Sequence, residues 1–203
     1  MIVKICGLTH PDDAKIAAEY GADYIGLIFS TRSKRYVEPA LGTQIARTAI
    51  LCGIEPVAIF VDETVDRIQS VCNQSGIKRI QLHGKISRRD LQTLIAEYEV
   101  VYSIRVNQGK IVLPDYSLPA DIIPLYDNVV AGSGQPFDWS ELLPPKHQTW
   151  MLAGGLNPDN VKRAISLLHP SGVDVATGVE IPGTNRKDPM LMKAFIQQAK
   201  ETP

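Results

Sequence analysis

Alternation is the feature that most constrains this chain: apolar runs of strand length recur along it, and most are followed by a segment of helical period. Ile2 to Thr9, Asp23 to Phe29, Pro56 to Val61, Lys78 to Leu82, Glu99 to Val106, Asp121 to Asp127, Thr149 to Ala153 and Gly172 to Val175 read as eight strands. The helices between them announce their ends. Thr9 can cap the first, with Pro11, Asp12 and Asp13 in its opening turn and Gly21 as terminator. Another starts near Glu38-Pro39, and Thr64 and Ser87 precede two more. Asn157-Pro158 and Asp188-Pro189 start the last two. The segment from Asn107 to Ala120 holds Pro114 and Pro119 without helical period, so its crossover is expected to be irregular. Pro124 removes a ladder hydrogen bond from the sixth strand and suggests a bulge there.

Strands repeating at roughly 20 to 33 residues with helical crossovers call for a parallel sheet, and eight such units fit a closed (β/α)8 TIM barrel. The alternative is an open doubly wound sheet. No strand is followed by a GxGxxG turn, and the glycine-rich turns of interest lie after the sixth, seventh and eighth strands, which favours the barrel. With 203 residues, 44% of them hydrophobic, and no linker or low-complexity tract, the chain reads as one α/β domain spanning residues 1–203.

A formal net charge of −1 supplies no electrostatic reason to expect nucleic acid or an anionic membrane as partner, so a small molecule is expected. No apolar stretch approaches the roughly 20 residues of a membrane span, and the first residues already follow a strand pattern; a cytoplasmic protein is expected. Cys6, Cys52 and Cys72 are odd in number, far apart and without CxxC spacing, which argues against disulfides and a zinc site and for free thiols. The helical spacing around Cys72 assigns it to the core.

A parallel barrel gathers the carboxyl ends of its strands at one mouth, which would bring together Cys6, His83, Arg105, Asp127, Gly154-Gly155 and Thr177-Gly178. Each has a plain structural reading beside the functional one. Cys6 can be a small buried hydrophobe, Asp127 an acid capping a loop, and His83 a hydrogen-bond partner for a neighbouring loop. Arg35 can belong to a solvated basic run, or offer its fork to a carboxylate. The glycine turns after the last two strands suit phosphate, with Thr177 adding a hydroxyl donor. A thiol and a carboxyl facing such a cradle suit proton transfer that requires no metal or redox cofactor. Lys4 shares a strand face with Cys6 and is a candidate cation to favour its thiolate. Phe137-Asp138-Trp139 is expected to anchor the loop from Asn128 to Trp139.

Taken in order, Lys4-Ile5-Cys6-Gly7, Gly26 to Phe29, Ser33 to Val37, Ile59 to Val61, Gln81 to Gly84, Asp127, Gly132 to Trp139, Leu152 to Val161 and Gly172 to Glu180 resemble the phosphoribosylanthranilate isomerase family nearly end to end. The resemblance implies an Amadori rearrangement in tryptophan biosynthesis, from N-(5-phosphoribosyl)anthranilate to 1-(2-carboxyphenylamino)-1-deoxyribulose 5-phosphate. By the same matching Cys6 is the general base and Asp127 the general acid. Arg35 looks like the ligand of the anthranilate carboxylate, and His83 stands among the substrate-binding residues. The backbone around Gly154-Gly155 and Thr177-Gly178 looks like the phosphate site. The implied partner is this phosphorylated substrate, bound without a cofactor or metal by a monomer or homodimer. Ala176 and Ser133 depart from the serine and threonine often found in the family. The sister isomerase of histidine biosynthesis typically places acids at both catalytic positions, so Cys6 speaks against it. A catalytically silent phosphate-binding barrel is the remaining alternative.

Overall fold

The computed structural model describes every residue except 108–109, 113–117, 129–138, 143–148 and 203. Its strands are β1 (Ile2–Ile5), β2 (Tyr24–Ile28), β3 (Glu55–Phe60), β4 (Arg79–Leu82), β5 (Glu99–Asn107), β6 (Lys110–Val112), β7 (Ile123–Asn128), β8 (Met151–Leu152) and β9 (Gly172–Val175). Eight of them, all but β6, run parallel in the order β4-β3-β2-β1-β9-β8-β7-β5, and pairing of β4 with β5 closes the ring. Helices α1 (Pro11–Glu19), α2 (Pro39–Leu51), α3 (Val65–Ser75), α4 (Leu91–Ile95), α5 (Val161–Leu168) and α6 (Pro189–Glu201) lie outside the ring, and among the described residues none is long and apolar enough to cross a membrane.

Side chains alternate across each strand, so the ring has two cores. Val3 and Ile5 of β1 point outward into the large cluster shared with the helices. Val101, Leu125, Met151 and Ala153 form a separate small cluster inside the ring, with Ile2, Tyr24 and Ile123 packed on it. One step further along the strands the interior becomes polar. Buried Gln81 donates to Ser103 Oγ at 3.1 Å, and Lys4 Nζ donates to Gln81 Oε1 at 2.8 Å and Asp174 Oδ1 at 3.0 Å. At the amino-terminal rim, Arg79 opens β4 between Glu55 and Glu99, the opening residues of β3 and β5, and its guanidinium lies 4.6 Å from the ring centre of Tyr24, the first residue of β2. Four neighbouring strands of that rim, β2 to β5, are thereby tied together.

Several local expectations shift. The first helix takes His10 as its cap, because the Thr9 hydroxyl is turned away to the Asn185 carbonyl at 3.2 Å. Ser87 donates to the Phe60 and Gly84 carbonyls, and α4 starts only after Asp90. The turn at Asn157 precedes α5, which begins at Val161, whereas Asp188 caps α6 as expected by accepting from Met190 and Leu191 N–H at 2.8 and 3.1 Å. The β5–β7 crossover is irregular as expected: β6 turns back antiparallel on β5, and no described residue between β5 and β7 is helical. Pro124 produces no bulge. It faces Tyr102 in an unbroken register, flanked by the pairs Val101–Ile123 and Ser103–Leu125, so only its own missing N–H is lost. The glycines Gly132 and Gly134, and Ser133, Phe137 and Asp138, lie outside the described residues.

Strand ends β3 and β4 touch so closely that a Cβ at Gly84 would run into the Val61 carbonyl oxygen, a backbone atom with no rotamer to escape through. Gly84→Ala is expected to destabilise the barrel by about 1 to 3 kcal/mol, the usual cost of overpacking. A fall in the urea midpoint at unchanged m-value would register it; a midpoint equal to that of the parent would show that β3 and β4 can part freely.

Candidate active site

Following the inward-facing parity past the polar layer leads to the carboxyl-terminal mouth, where a cavity of about 370 Å³ opens. Cys6, Arg35, His83, Asp127, Gly154, Gly155, Thr177 and Gly178 all line it, so the structure gathers every residue singled out in the sequence for binding or chemistry. Arg105, register partner of Asp127, lines it too and is exposed.

Cys6 continues β1 past its last paired residue, its N–H donating to Val175 O at 2.7 Å, and only 6% of it is exposed. Burial, together with the negative charge of Asp174, holds its thiol above the ordinary range, and the ammonium groups of Lys4 and Lys187 oppose this without prevailing. Lys4 does favour the thiolate, as expected, by charge and hydrogen bond; what the structure corrects is the net direction, because burial and Asp174 outweigh it. Lys4 is fully buried, and burial works against its charge; Asp174 and the Cys6 sulfur more than offset that and raise its pKa. Its charge is spent mainly on Asp174, which itself raises the thiol. Cys72, by contrast, is simply core, with burial pushing it up to about 12.

Asp127, the residue before the last of β7, lies across the mouth. Its Oδ1 accepts from the Asn128 N–H at 2.8 Å, and its Oδ2 lies 3.3 Å from His83 Nε2, so one oxygen is fixed and the other meets the imidazole. The neighbouring turn fits against it: a Cβ on Gly154 would stand 2.8 Å from Asn128 N and 3.1 Å from Asp127 Oδ1. Gly154 and Gly155 have φ of +89° and +72°, the left-handed region that a side chain disfavours. Asn160 Nδ2 pins the Gly155 carbonyl at 2.9 Å. Among the described residues, no carbonyl or side chain accepts from the N–H groups of Gly154, Gly155 or Leu156. Gly178 starts no clash only because it lacks a Cβ, which would strike the Leu156 carbonyl oxygen; the turn Thr177–Val179 thus lies directly against the glycine pair. The free N–H groups of the glycine turn, with the Thr177–Val179 turn packed beside them, are an arrangement suited to an anion.

Arg35 is not the solvated residue of a basic run. It is 5% exposed, bonded through Nε and Nη2 to Glu180 and through Nη2 to Thr177 Oγ1 at 2.7 Å. Burial disfavours the Glu180 carboxylate, yet Arg35 and Lys187 bring its pKa down to about 2. Asp174, Glu180, Lys187 and Gln81 are the functional neighbours that reading the sequence missed. Asp174 and Glu180 lie inside the family-like stretch Gly172 to Glu180, and Gln81 opens another, but only the folded ring brings them to Lys4 and Arg35.

A family model described as N-(5'phosphoribosyl)anthranilate (PRA) isomerase matches residues 3–198. The N-(5'-phosphoribosyl)anthranilate isomerase of Chlamydia felis is 50% identical over 200 residues, covering 98% of this chain and 97% of that one. Among solved structures, monomers of the dimeric phosphoribosylanthranilate isomerase of Thermotoga maritima superpose with a TM-score of 0.82 at 33% identity, covering 98% of this chain and 99% of that one. Another phosphoribosyl anthranilate isomerase, solved in complex with reduced 1-(o-carboxyphenylamino)-1-deoxyribulose 5-phosphate, superposes with a TM-score of 0.79 at 30% identity, with coverage of 98% and 99%.

The electrostatics of Cys6 carry a signed expectation. Replacing Asp174 by asparagine removes the anion that raises the thiol and leaves Lys4 to act on it, so the pH at which Cys6 becomes reactive should fall. Alkylation rate against pH measures this directly; an unmoved or upward-shifted profile would show that Asp174 does not control the thiol.

Proposed function

The chain belongs to the N-(5'-phosphoribosyl)anthranilate isomerase family of tryptophan biosynthesis, and from that membership we propose how its own residues divide the reaction. Cys6 is the general base and Asp127 the general acid; Arg35 receives the anthranilate carboxylate, and the turns at Gly154-Gly155 and Thr177-Gly178 receive the phosphate. The observation that carries this division is that thiol, carboxyl, guanidinium and unpaired backbone donors line one cavity. The solved relative bound to a reduced, carboxyphenyl-bearing product supports a ligand with an anion at each end.

The rearrangement moves hydrogen from C2 to C1 of the sugar without net oxidation, so an acid and a base suffice. Asp127 gives its proton to the ribose ring oxygen as the C1–O bond breaks and the nitrogen lone pair forms the C1=N iminium. The Cys6 thiolate then takes the proton from C2. The C–H electrons form C1=C2, the iminium electrons return to nitrogen, and the enolamine that results tautomerises to the C2 ketone. His83, within reach of Asp127 and on the cavity wall, orients the acid and meets the substrate beside it. A thiol held above its ordinary range makes the thiolate scarce in the free protein at neutral pH, but a stronger base when formed. Activity should therefore rise with pH along the limb set by the thiol.

All the proposed site residues come from one copy of the chain, so a monomer or a homodimer is equally competent. A reducing cytoplasm suits the three cysteines, all of them free thiols.

Cys6→Ala and Asp127→Asn should each lower kcat by about 10²- to 10⁴-fold, the usual contribution of a general base or acid, with thermal stability close to that of the parent. Turnover of N-(5-phosphoribosyl)anthranilate, followed by loss of its fluorescence, tests both. Activity of Cys6→Ala within a few-fold of the parent would remove Cys6 as the base.

A further inference from the structure

Arg35 carries five N–H donors in one plane, and the fold has committed three of them. Nε and one Nη2 hydrogen hold the two oxygens of Glu180, the latter at 3.0 Å, and the other Nη2 hydrogen goes to Thr177 Oγ1 at 2.7 Å. Among the described residues nothing accepts from Nη1. The aliphatic stem crosses the backbone at Gly7, where a Cβ would collide with Arg35 Cδ, so the side chain has no room to swing.

Glu180 is itself fixed. Lys187 Nζ, on a side chain with no exposure, donates to Glu180 Oε1 and to the Ala176 carbonyl, both at 3.1 Å, and the Lys187 N–H is held by buried Asp13. Lys34 adds a longer contact to Oε2 at 3.4 Å. Burial lowers the Lys187 pKa, so the fixed positive charge of the cluster rests chiefly on the Arg35 guanidinium, whose Nη1 remains to attract a second carboxylate.

We propose that Glu180 is a positioning residue that determines how Arg35 reads the substrate. A free guanidinium can take a carboxylate on its Nε–Nη2 edge or end-on through Nη1, and the two poses turn the attached aromatic ring differently. Glu180 occupies the first edge permanently. The anthranilate carboxylate is thereby confined to Nη1, and the ring, with the sugar C2 beyond it, is presented to Cys6 at one angle. A lysine at position 35 would supply charge but could not serve Glu180 and the substrate from one rigid plane. The proposal rests on the reading of Arg35 as the carboxylate ligand.

The experiment compares two ligands by calorimetry: the reduced product with its ring carboxylate, and the same molecule with an unsubstituted phenyl ring. The parent should prefer the carboxylate form. Glu180→Gln should shrink that preference about tenfold while leaving the affinity for the phenyl form within twofold, and KM should rise more than kcat falls. Because Glu180→Gln leaves Lys187 buried without its carboxylate, the double variant Glu180→Gln/Lys187→Met is measured beside it with the same expectation. Equal weakening of both ligands would mean that Glu180 only supports the fold; a preference unchanged from the parent in the folded variants would mean that Arg35 reads the carboxylate unaided. Either result overturns the proposal. Arg35→Ala separates the two levels: it should abolish the preference, and if it does not, the assignment of Arg35 fails, and the role of Glu180 with it.

Discussion

The ion pair between Lys4 and Asp174, sealed inside the ring at 3.0 Å, fixes the register on which the site depends. The two residues are register partners on β1 and β9, adjacent strands contributed by opposite ends of the chain. A one-residue slip would turn Lys4 into the outer apolar core and drive Val3 or Ile5 into the polar layer, which no local rearrangement could repair. Breaking one partner of such a buried pair typically costs about 3 to 5 kcal/mol, because the other charge is left uncompensated. Gln81 and Ser103 extend the layer across to β4 and β5 and satisfy what the pair leaves over. Cys6, one inward step beyond Lys4, and the Thr177–Val179 turn, just beyond Asp174, therefore inherit a fixed relation.

The two ends of the ring are built from opposite materials. At the amino-terminal rim the first residues of four strands, Tyr24, Glu55, Arg79 and Glu99, saturate one another, so that the guanidinium is spent on carboxylates and a ring face. At the other end, glycine replaces side chains wherever loops meet: Gly7 beneath Arg35, Gly84 against Val61, Gly154 against Asn128 and Asp127, and Gly178 against Leu156. Removing the Cβ lets backbones converge around a cavity and leaves N–H groups facing into it. Charge pairing thus marks the amino-terminal rim and the cavity the carboxyl-terminal mouth, the division of roles expected of a parallel barrel.

What was legible in the sequence follows from range. Strand order and the identity of the mouth residues were readable because period-2 and helical patterns are local, and because a parallel ring sends every strand end the same way. Cys6, His83 and Asp127 could thus be grouped before any contact was known. Helix starts at Thr9 and Ser87 were misplaced because both hydroxyls answer carbonyls elsewhere, Thr9 reaching Asn185 far along the chain. Arg35 in a run of polar residues gave no sign of burial; its partner lies 145 positions away. The electrostatics of Cys6 were misjudged for the same reason, since Lys4 was visible two residues off while Asp174, the charge that outweighs it, is 170 positions from Lys4.

These distant partners converge on a few atoms of backbone. Arg35 lies across Gly7, the residue after Cys6, so the group proposed to read the ring carboxylate rests on the same turn that carries the proposed base. Lys187 joins the two from the other side: it holds Glu180, which holds Arg35, and its charge also bears on the Cys6 thiol. Asp13 of α1, by gripping Arg186 at 2.9 Å and the Lys187 N–H at 3.3 Å, ties the loop carrying Lys187 to the helix that follows Cys6. Substrate orientation and thiol ionisation are consequently not independent settings. A change at Lys187 or Glu180 that moves the Arg35 clamp also alters the charge beside the Cys6 thiol, which is why separating the proposed recognition from the proposed chemistry requires ligands that differ only in their carboxylate.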